Sequence, residues 1–352
     1  MTKKTFAILI ALLTFVVGVA LARLSFTDSR PTPPGPIQKE FQANGYRLTG
    51  PYNHENLTIF LIHGPDLPGA PHFVSLEAAL KRKLVIVHET SDVNELAIEN
   101  VSPVEEVFVQ AGDIVKGGQQ DRVLAVDLIL PAKSGQIPIS AFCVEHGRWT
   151  QRGTEQVSSF DVSDEMVATK ELKMATKHTT SQTQVWDVVG IAQDKLSKSV
   201  AVPVRSVASQ TSLQLALEND KVQESAAAYV NKLSSIVDAH SDVIGFVFAI
   251  NDKLNSADVY AASYIFKPFW PRLLKSAAIE AVAERPLSQK SEPVSIASAG
   301  SFLTTGEQGT ETTNQVTTRT QMLKRESEKS LFFATLDMDH NGIWIHRNYL
   351  MK

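Results

Sequence analysis

An α+β fold, with a mixed, largely antiparallel sheet, packed helices and a preceding signal segment, is predicted from three features. Short apolar segments bounded by turn residues dominate the first half of the chain, an amphipathic helical stripe marks the third quarter, and a hairpin pattern closes the end. The 352 residues are 43% hydrophobic and 20% charged, enough to bury a core and incompatible with wholesale disorder or a fibrous repeat. Lys and Arg number 34 against 38 Asp and Glu, a net charge of -4 spread along the chain. With no basic footprint, nucleic acid is not an expected partner.

Lys3 and Lys4 precede an apolar run from Phe6 to Ala22 that ends in Ala20, Leu21 and Ala22, the layout of a secretory signal. As a helix the run spans about 25 Å, short of the roughly 30 Å hydrocarbon core. Residues 1–22 are therefore read as a signal peptide cleaved after Ala22; the alternative is an uncleaved anchor lengthened by Leu24 and Phe26. Either reading places the body in the periplasm or outside the cell, in contact with membrane only through the uncleaved segment. Residues 23–40 are a Pro-rich spacer, and 41–352 are read as a single domain. Cys143 is the only cysteine, so no intramolecular disulfide forms and the fold must rest on its core.

The elements follow in order. Leu57 to Ile62, Leu84 to Val87, Leu96 to Ile98 and Val107 to Val109 read as strands, with a short helix near Leu76 to Lys83 among them. From Lys221 to Ala239, Val222, Ala226, Tyr229, Val230, Leu233, Ile236 and Val237 recur at helical spacing. Ile244 to Ile250 is a buried strand. Arg272 to Glu284 is a helix, started after Pro268 and Pro271 break the preceding segment. Gly306 to Thr320 reads as a surface loop. Leu331 to Leu336 and Ile343 to Arg347 form a hairpin closed by Asn341 and Gly342.

Arg122 to Leu130 and Ile137 to Val144 are a further hairpin candidate, joined by Pro131 to Gln136. A turn centred at Lys133 and Ser134 sets Leu124 opposite Cys143, Val126 opposite Ala141 and Leu128 opposite Ile139. Arg122 then meets Glu145 at the open end, and Gly118, Gln119 and Gln120 lie beside Gly147, Arg148 and Trp149.

AGDIVKGGQQDR (Ala111 to Arg122) and IPISAFCVEHGRW (Ile137 to Trp149) resemble the domain family named for association with ADP-ribosylglycohydrolases and rhodanese-phosphatases. The resemblance extends to NLTIFLI, ETSDVNEL, QVWDVV and GFVFAIN, hence most of the chain from about residue 45. The family it implies has no established reaction, and its name suggests only neighbours that process ADP-ribose or NAD-derived nucleotides. The matching positions Gly117, Gly118, Gln120, Arg122, Glu145, Arg148 and Trp149 are the candidate site. The glycines permit positive φ or close approach, the arginines offer planar forks to phosphate or carboxylate, Trp149 offers a stacking face, and Glu145 is the candidate acid or base. Glu89 and Asn94 are read as a turn and a cap; the alternative is that the fold brings them into the site.

Two classes of function follow. One is a domain that binds or hydrolyses a small anionic ligand of the nucleotide or sugar type; the other is a non-catalytic cell-envelope protein in which the cluster only locks the hairpin to the core. No cofactor or protein partner is identified. Sharper motifs fail their mechanics. Leu61 to Gly64 (LIHG) looks like an oxyanion loop, but no G-x-S-x-G elbow occurs. Cys143 and Arg148 enclose four residues where a phosphatase loop needs five, which makes Cys143 a buried small hydrophobe. Asp337, Asp339, Asn341 and Gly342 open like a calcium loop, yet Asn348 holds the position of its bidentate Glu. The nine histidines show no metal-helix spacing, so no metal is predicted.

Overall fold

The computed structural model describes residues 39–90, 92–148, 160–167, 169–285 and 292–352, which belong to one compact unit, Gln38–Lys352. The expected signal segment, the spacer up to residue 38 and Trp149 lie outside the described residues. Among the described residues, no helix is long and apolar enough to cross a membrane.

A nine-stranded antiparallel sheet forms the backbone of the unit. It is built from β1 (Lys39–Ala43), β2 (Tyr46–His54), β3 (Leu57–His63), β13 (Val243–Ile250), β14 (Lys253–Tyr260), β15 (Thr310–Gln315), β16 (Thr320–Glu326), β17 (Ser330–Asp337) and β18 (Ile343–Met351). Their order is β1-β2-β3-β13-β14-β18-β17-β16-β15. Two smaller sheets complete the strand content of the described residues. One has the order β12-β8-β9-β11-β6-β5, where β5 is Val85–Glu89, β6 Glu95–Asn100, β8 Asp113–Gly117, β9 Arg122–Leu124, β11 Gln136–Cys143 and β12 Phe160–Met166. The other runs β10-β7-β4, with β4 Val74–Ser75, β7 Val107–Val109 and β10 Leu128–Leu130. Among the described strands, only the β4–β7 pair is parallel. The fold is α+β, as the patterning predicted.

The helices are α1 (Leu76–Lys81), α2 (Lys170–Met174), α3 (Gln182–Val200), α4 (Leu213–Leu217), α5 (Asp220–Leu233), α6 (Ser263–Ala283) and α7 (Ile296–Gly306). α5 buries Val222, Ala226, Tyr229 and Leu233, the predicted stripe. α6 departs from prediction because it begins before both prolines and runs through Pro268 and Pro271. Each interior proline removes a backbone hydrogen bond and costs about 3 kcal/mol in an exposed helix. Here Phe266, Phe269, Trp270, Leu273, Leu274 and Ala278 are all buried, because the helix packs on β13 and also on β12 of the six-stranded sheet. Burial around most of its circumference outweighs the local preference. Gly306 to Thr320 also departs: it contains β15, an edge strand whose six residues are all exposed, so its polar composition reflects solvent on both faces.

The central hairpin forms only in part. β9 pairs β11 with Leu124 opposite Ala141 and Arg122 opposite Cys143, two residues from the predicted register. A shift of two keeps every side chain on its face, so the apolar face survives while the Arg122–Glu145 pairing is lost. Beyond Ala125 the chain turns a corner: β10 joins β7 in the other sheet, and Ile137 to Ser140 pair with β6. The second predicted hairpin is present, with Asn341 and Gly342 both at positive φ between β17 and β18.

The β13–β14 contact is close enough to test. A Cβ at Gly245 would lie 2.2 Å from the Asp258 carbonyl oxygen and 2.8 Å from Val259 Cα. Both are backbone atoms that must shift. Gly245→Ala is expected to lower stability by about 1–3 kcal/mol or more, read as a fall in the urea midpoint at unchanged m-value.

Candidate functional site

The residues singled out from the sequence do converge. Gly117 and Gly118 both have positive φ, and a Cβ at Gly118 would lie 2.6 Å from Glu89 Oε1 and 2.5 Å from the Phe160 ring. This close approach lets Glu89 accept the Gln119 backbone N–H at 2.8 Å and place its other oxygen 3.6 Å from Arg122 Nη2. Glu89 therefore belongs to the cluster and is not merely a turn residue, whereas Asn94 sits in a turn with its N–H on Asp92 Oδ1. Arg122 also donates to Gln120 Oε1 and Cys143 Sγ, and Gln120 Nε2 donates to the Glu145 carbonyl oxygen at 2.8 Å.

Glu145 pairs with Arg148 instead of Arg122, with Oε2 2.7 Å from Arg148 Nε. Arg148 also lies 3.8 Å from Asp121 Oδ1, while Asp121 accepts from the Gly117 N–H and the Ser212 hydroxyl. Gln120, Asp121 and Glu145 are wholly buried and Arg122 is nearly so. Cys143 is buried as predicted, and burial pushes its thiol up and away from thiolate reactivity. Both guanidinium groups already face carboxylate, amide or carbonyl oxygens. A ligand phosphate would have to displace Glu89, Glu145 or Asp121 to reach them.

A second polar cluster, not anticipated from the sequence, surrounds a cavity of about 20 Å³. Its wall includes Gln110, Ala111, Gly112, Lys173, Lys177, Asp258, Ser276, His346 and Asn348. Cross-strand register builds one side: Tyr260 and Thr335 flank His346, while Asp258 and Phe333 flank Asn348. The other side comes from α2 and the π-helical turn that follows it, Ala175–Thr179, which ends in a left-handed Thr180. Such turns widen the helix, and here one brings Lys177 Nζ within 3.0 Å of Asn348 Oδ1 and over the Phe333 ring.

His346 is the centre of this cluster. Its Nδ1 lies 2.7 Å from Asp127 Oδ2 and its Nε2 3.0 Å from Asp258 Oδ1. Both ring nitrogens must donate, so the ring is an imidazolium. Burial opposes that charge, yet the two carboxylates prevail and raise the His346 pKa to about 9. Asp127 also accepts the Ala111 N–H and the Thr335 hydroxyl, and Asp258 accepts from Asn348 Nδ2. Both acids are held below the usual carboxylate range, Asp127 well below it; burial opposes their ionisation and His346 reverses that effect. Lys177 is shifted down by burial, against the pull of Asp127 and Asp258. One turn along α6 from Ser276, burial pushes Glu280 up to about 7, which makes it able to exchange a proton near neutrality.

The signals for this cluster were present but local rules read them otherwise. Asp127 interrupts the apolar segment Leu124 to Leu130, Lys173 and Lys177 are spaced i,i+4, and Ala111 and Gly112 open the first family-like motif. Only the sheet register brings them to His346.

The ARG and Rhodanese-Phosphatase-superfamily-associated Protein domain model matches residues 45–350. No curated protein and no solved structure matches the chain. The match covers both clusters and nearly every element of the described unit, so the chain belongs to the ARG and Rhodanese-Phosphatase-superfamily-associated Protein domain family.

Proposed function

We propose that this is an exported binding domain for a small anionic ligand, of the nucleotide or sugar phosphate kind, and that the anion enters the His346 cavity. The observation that carries this reading is the charge around the cavity, where Lys173, Lys177 and His346 on the wall face two carboxylates, Asp258 on the wall and Asp127 behind His346. A cavity of about 20 Å³ holds little more than one water, so it suits the tip of a phosphate or carboxylate with the remainder of the ligand outside. An anion there would restore the electrostatic support that burial takes from Lys177.

In this reading Gly117, Gly118, Gln120, Arg122, Glu145 and Arg148 are positioning residues. They hold the end of β8, the strand that runs back to Ala111 and Gly112 on the cavity wall. The export component rests on Lys3, Lys4 and the apolar run that follows.

Thermal shifts against inorganic phosphate, ADP-ribose, NAD, nucleotides and sugar phosphates test the reading, since a ligand that binds only the folded state raises its melting temperature. Wild type is expected to gain several degrees with at least one of them, and Lys177→Met to lose that gain while still unfolding cooperatively. Equal gains in both proteins, or none in wild type, would defeat it. A gain that survives Lys177→Met and disappears in Arg148→Ala would move the site to the first cluster.

A further inference from the structure

We propose that His63, His240 and Asp242 bind a divalent transition metal of the zinc class, at a site separate from the anion cavity. Ligand-capable atoms of the three residues all lie within 4.8 Å of one another. The backbone enforces the arrangement: Val243 pairs with His63 across β13 and β3, and the Gly64 N–H donates to the Asp242 carbonyl oxygen at 3.0 Å. The loop carrying His240 and Asp242 is thereby pinned against the end of β3.

The buried member is oriented as a ligand should be. His63 is 1% exposed, with Nε2 2.8 Å from Thr49 Oγ1 and Nδ1 2.9 Å from Asp242 Oδ1. In the metal-free protein Nδ1–H donates to the Asp242 carboxylate and Nε2 accepts the Thr49 hydroxyl. A metal at Nδ1 takes the place of that proton while Nε2 takes one up, and Nε2–H then donates to Thr49, the outer-shell pattern that fixes a metal-bound imidazole. Arg47 Nη2 takes the other carboxylate oxygen at 2.8 Å and leaves Oδ1 turned inward. His240 meets His63 edge-on, with ring centroids 5.0 Å apart.

Two imidazoles and one carboxylate favour zinc, cobalt or nickel over magnesium or calcium. Metal–ligand bonds of about 2.0–2.2 Å accommodate the His63–Asp242 spacing directly. The half-buried His240 and the exposed Asp242 need only side-chain rotation to close the third arm, leaving a position for water.

The test is a titration of the chelator-treated full chain with Co²⁺, followed by competition with Zn²⁺. One Co²⁺ per chain is expected, with visible d–d absorption that Zn²⁺ abolishes. His240→Ala is expected to weaken binding at least about tenfold, and Thr49→Val, which keeps all three ligands but frees His63 Nε2, by about 10- to 100-fold. Melting curves without metal establish that each variant is folded. A wild type that binds no Co²⁺, or binds it as His240→Ala and Asp242→Asn do, overturns the site and leaves the anion reading untouched.

Discussion

Replacing His346 with Asn is expected to lower the stability of the folded unit by about 3–5 kcal/mol near neutral pH, because it strands two buried carboxylates without their shared cation. Asp127 and Asp258 are each less than a tenth exposed. They keep Thr335, Ala111 and Asn348 as donors, but the cations still acting on them are then Lys173 and Lys177, and Lys177 donates to Asn348. The same residue gives a pH signature. The His346 pKa rises from 6.5 to about 9 on folding, so its contribution is complete below 6.5 and disappears as pH climbs through 9. At about 1.4 kcal/mol per unit this amounts to about 3 kcal/mol. Urea midpoints of wild type should fall between pH 6.5 and 9, and that fall should flatten in His346→Asn. Identical pH profiles would show that the ring is not charged in the folded state.

Arg122→Ala is expected to cost about 3–5 kcal/mol and to broaden or abolish the cooperative transition. Arg122 heads the largest fully buried side chains, so the substitution opens a cavity as well as removing a charge. It also deprives Gln120 Oε1 and Glu89 Oε2 of their guanidinium. Arg122→Lys should recover little of the loss, since one ammonium cannot meet Gln120, Cys143 and Glu89 together. Equilibrium denaturation of both variants decides the role of the cluster. Normal stability with a lost ligand response would make Arg122 a binding residue and return the anion site to the first cluster.

Much of the fold was legible before any coordinates. Apolar runs bounded by turn residues located β3, β6, β7 and β13, and the 3.6-residue spacing of its stripe located α5, because those elements bury one side or both in a pattern their own residues display. The convergence of Gly118, Gln120, Arg122, Glu145 and Arg148 was legible too, since any antiparallel pairing of their strands brings them together. Their pairwise contacts were not. Glu89, from a strand three places along the sheet from that of Arg122, takes the partnership that local register assigned to Glu145.

Composition and local pattern were sufficient for the α+β class, most strand positions, the buried Cys143 and the family, all of which depend on near neighbours in the chain. The Pro-containing helix, the sheet change at Val126 and Asp127, the His346 cavity and the His63–His240–Asp242 cluster needed the tertiary structure. Long-range burial in α6 offsets a local cost of about 3 kcal/mol for each interior proline. Buried polar groups find partners 88 to 219 residues away around His346, separations at which sequence spacing carries no information.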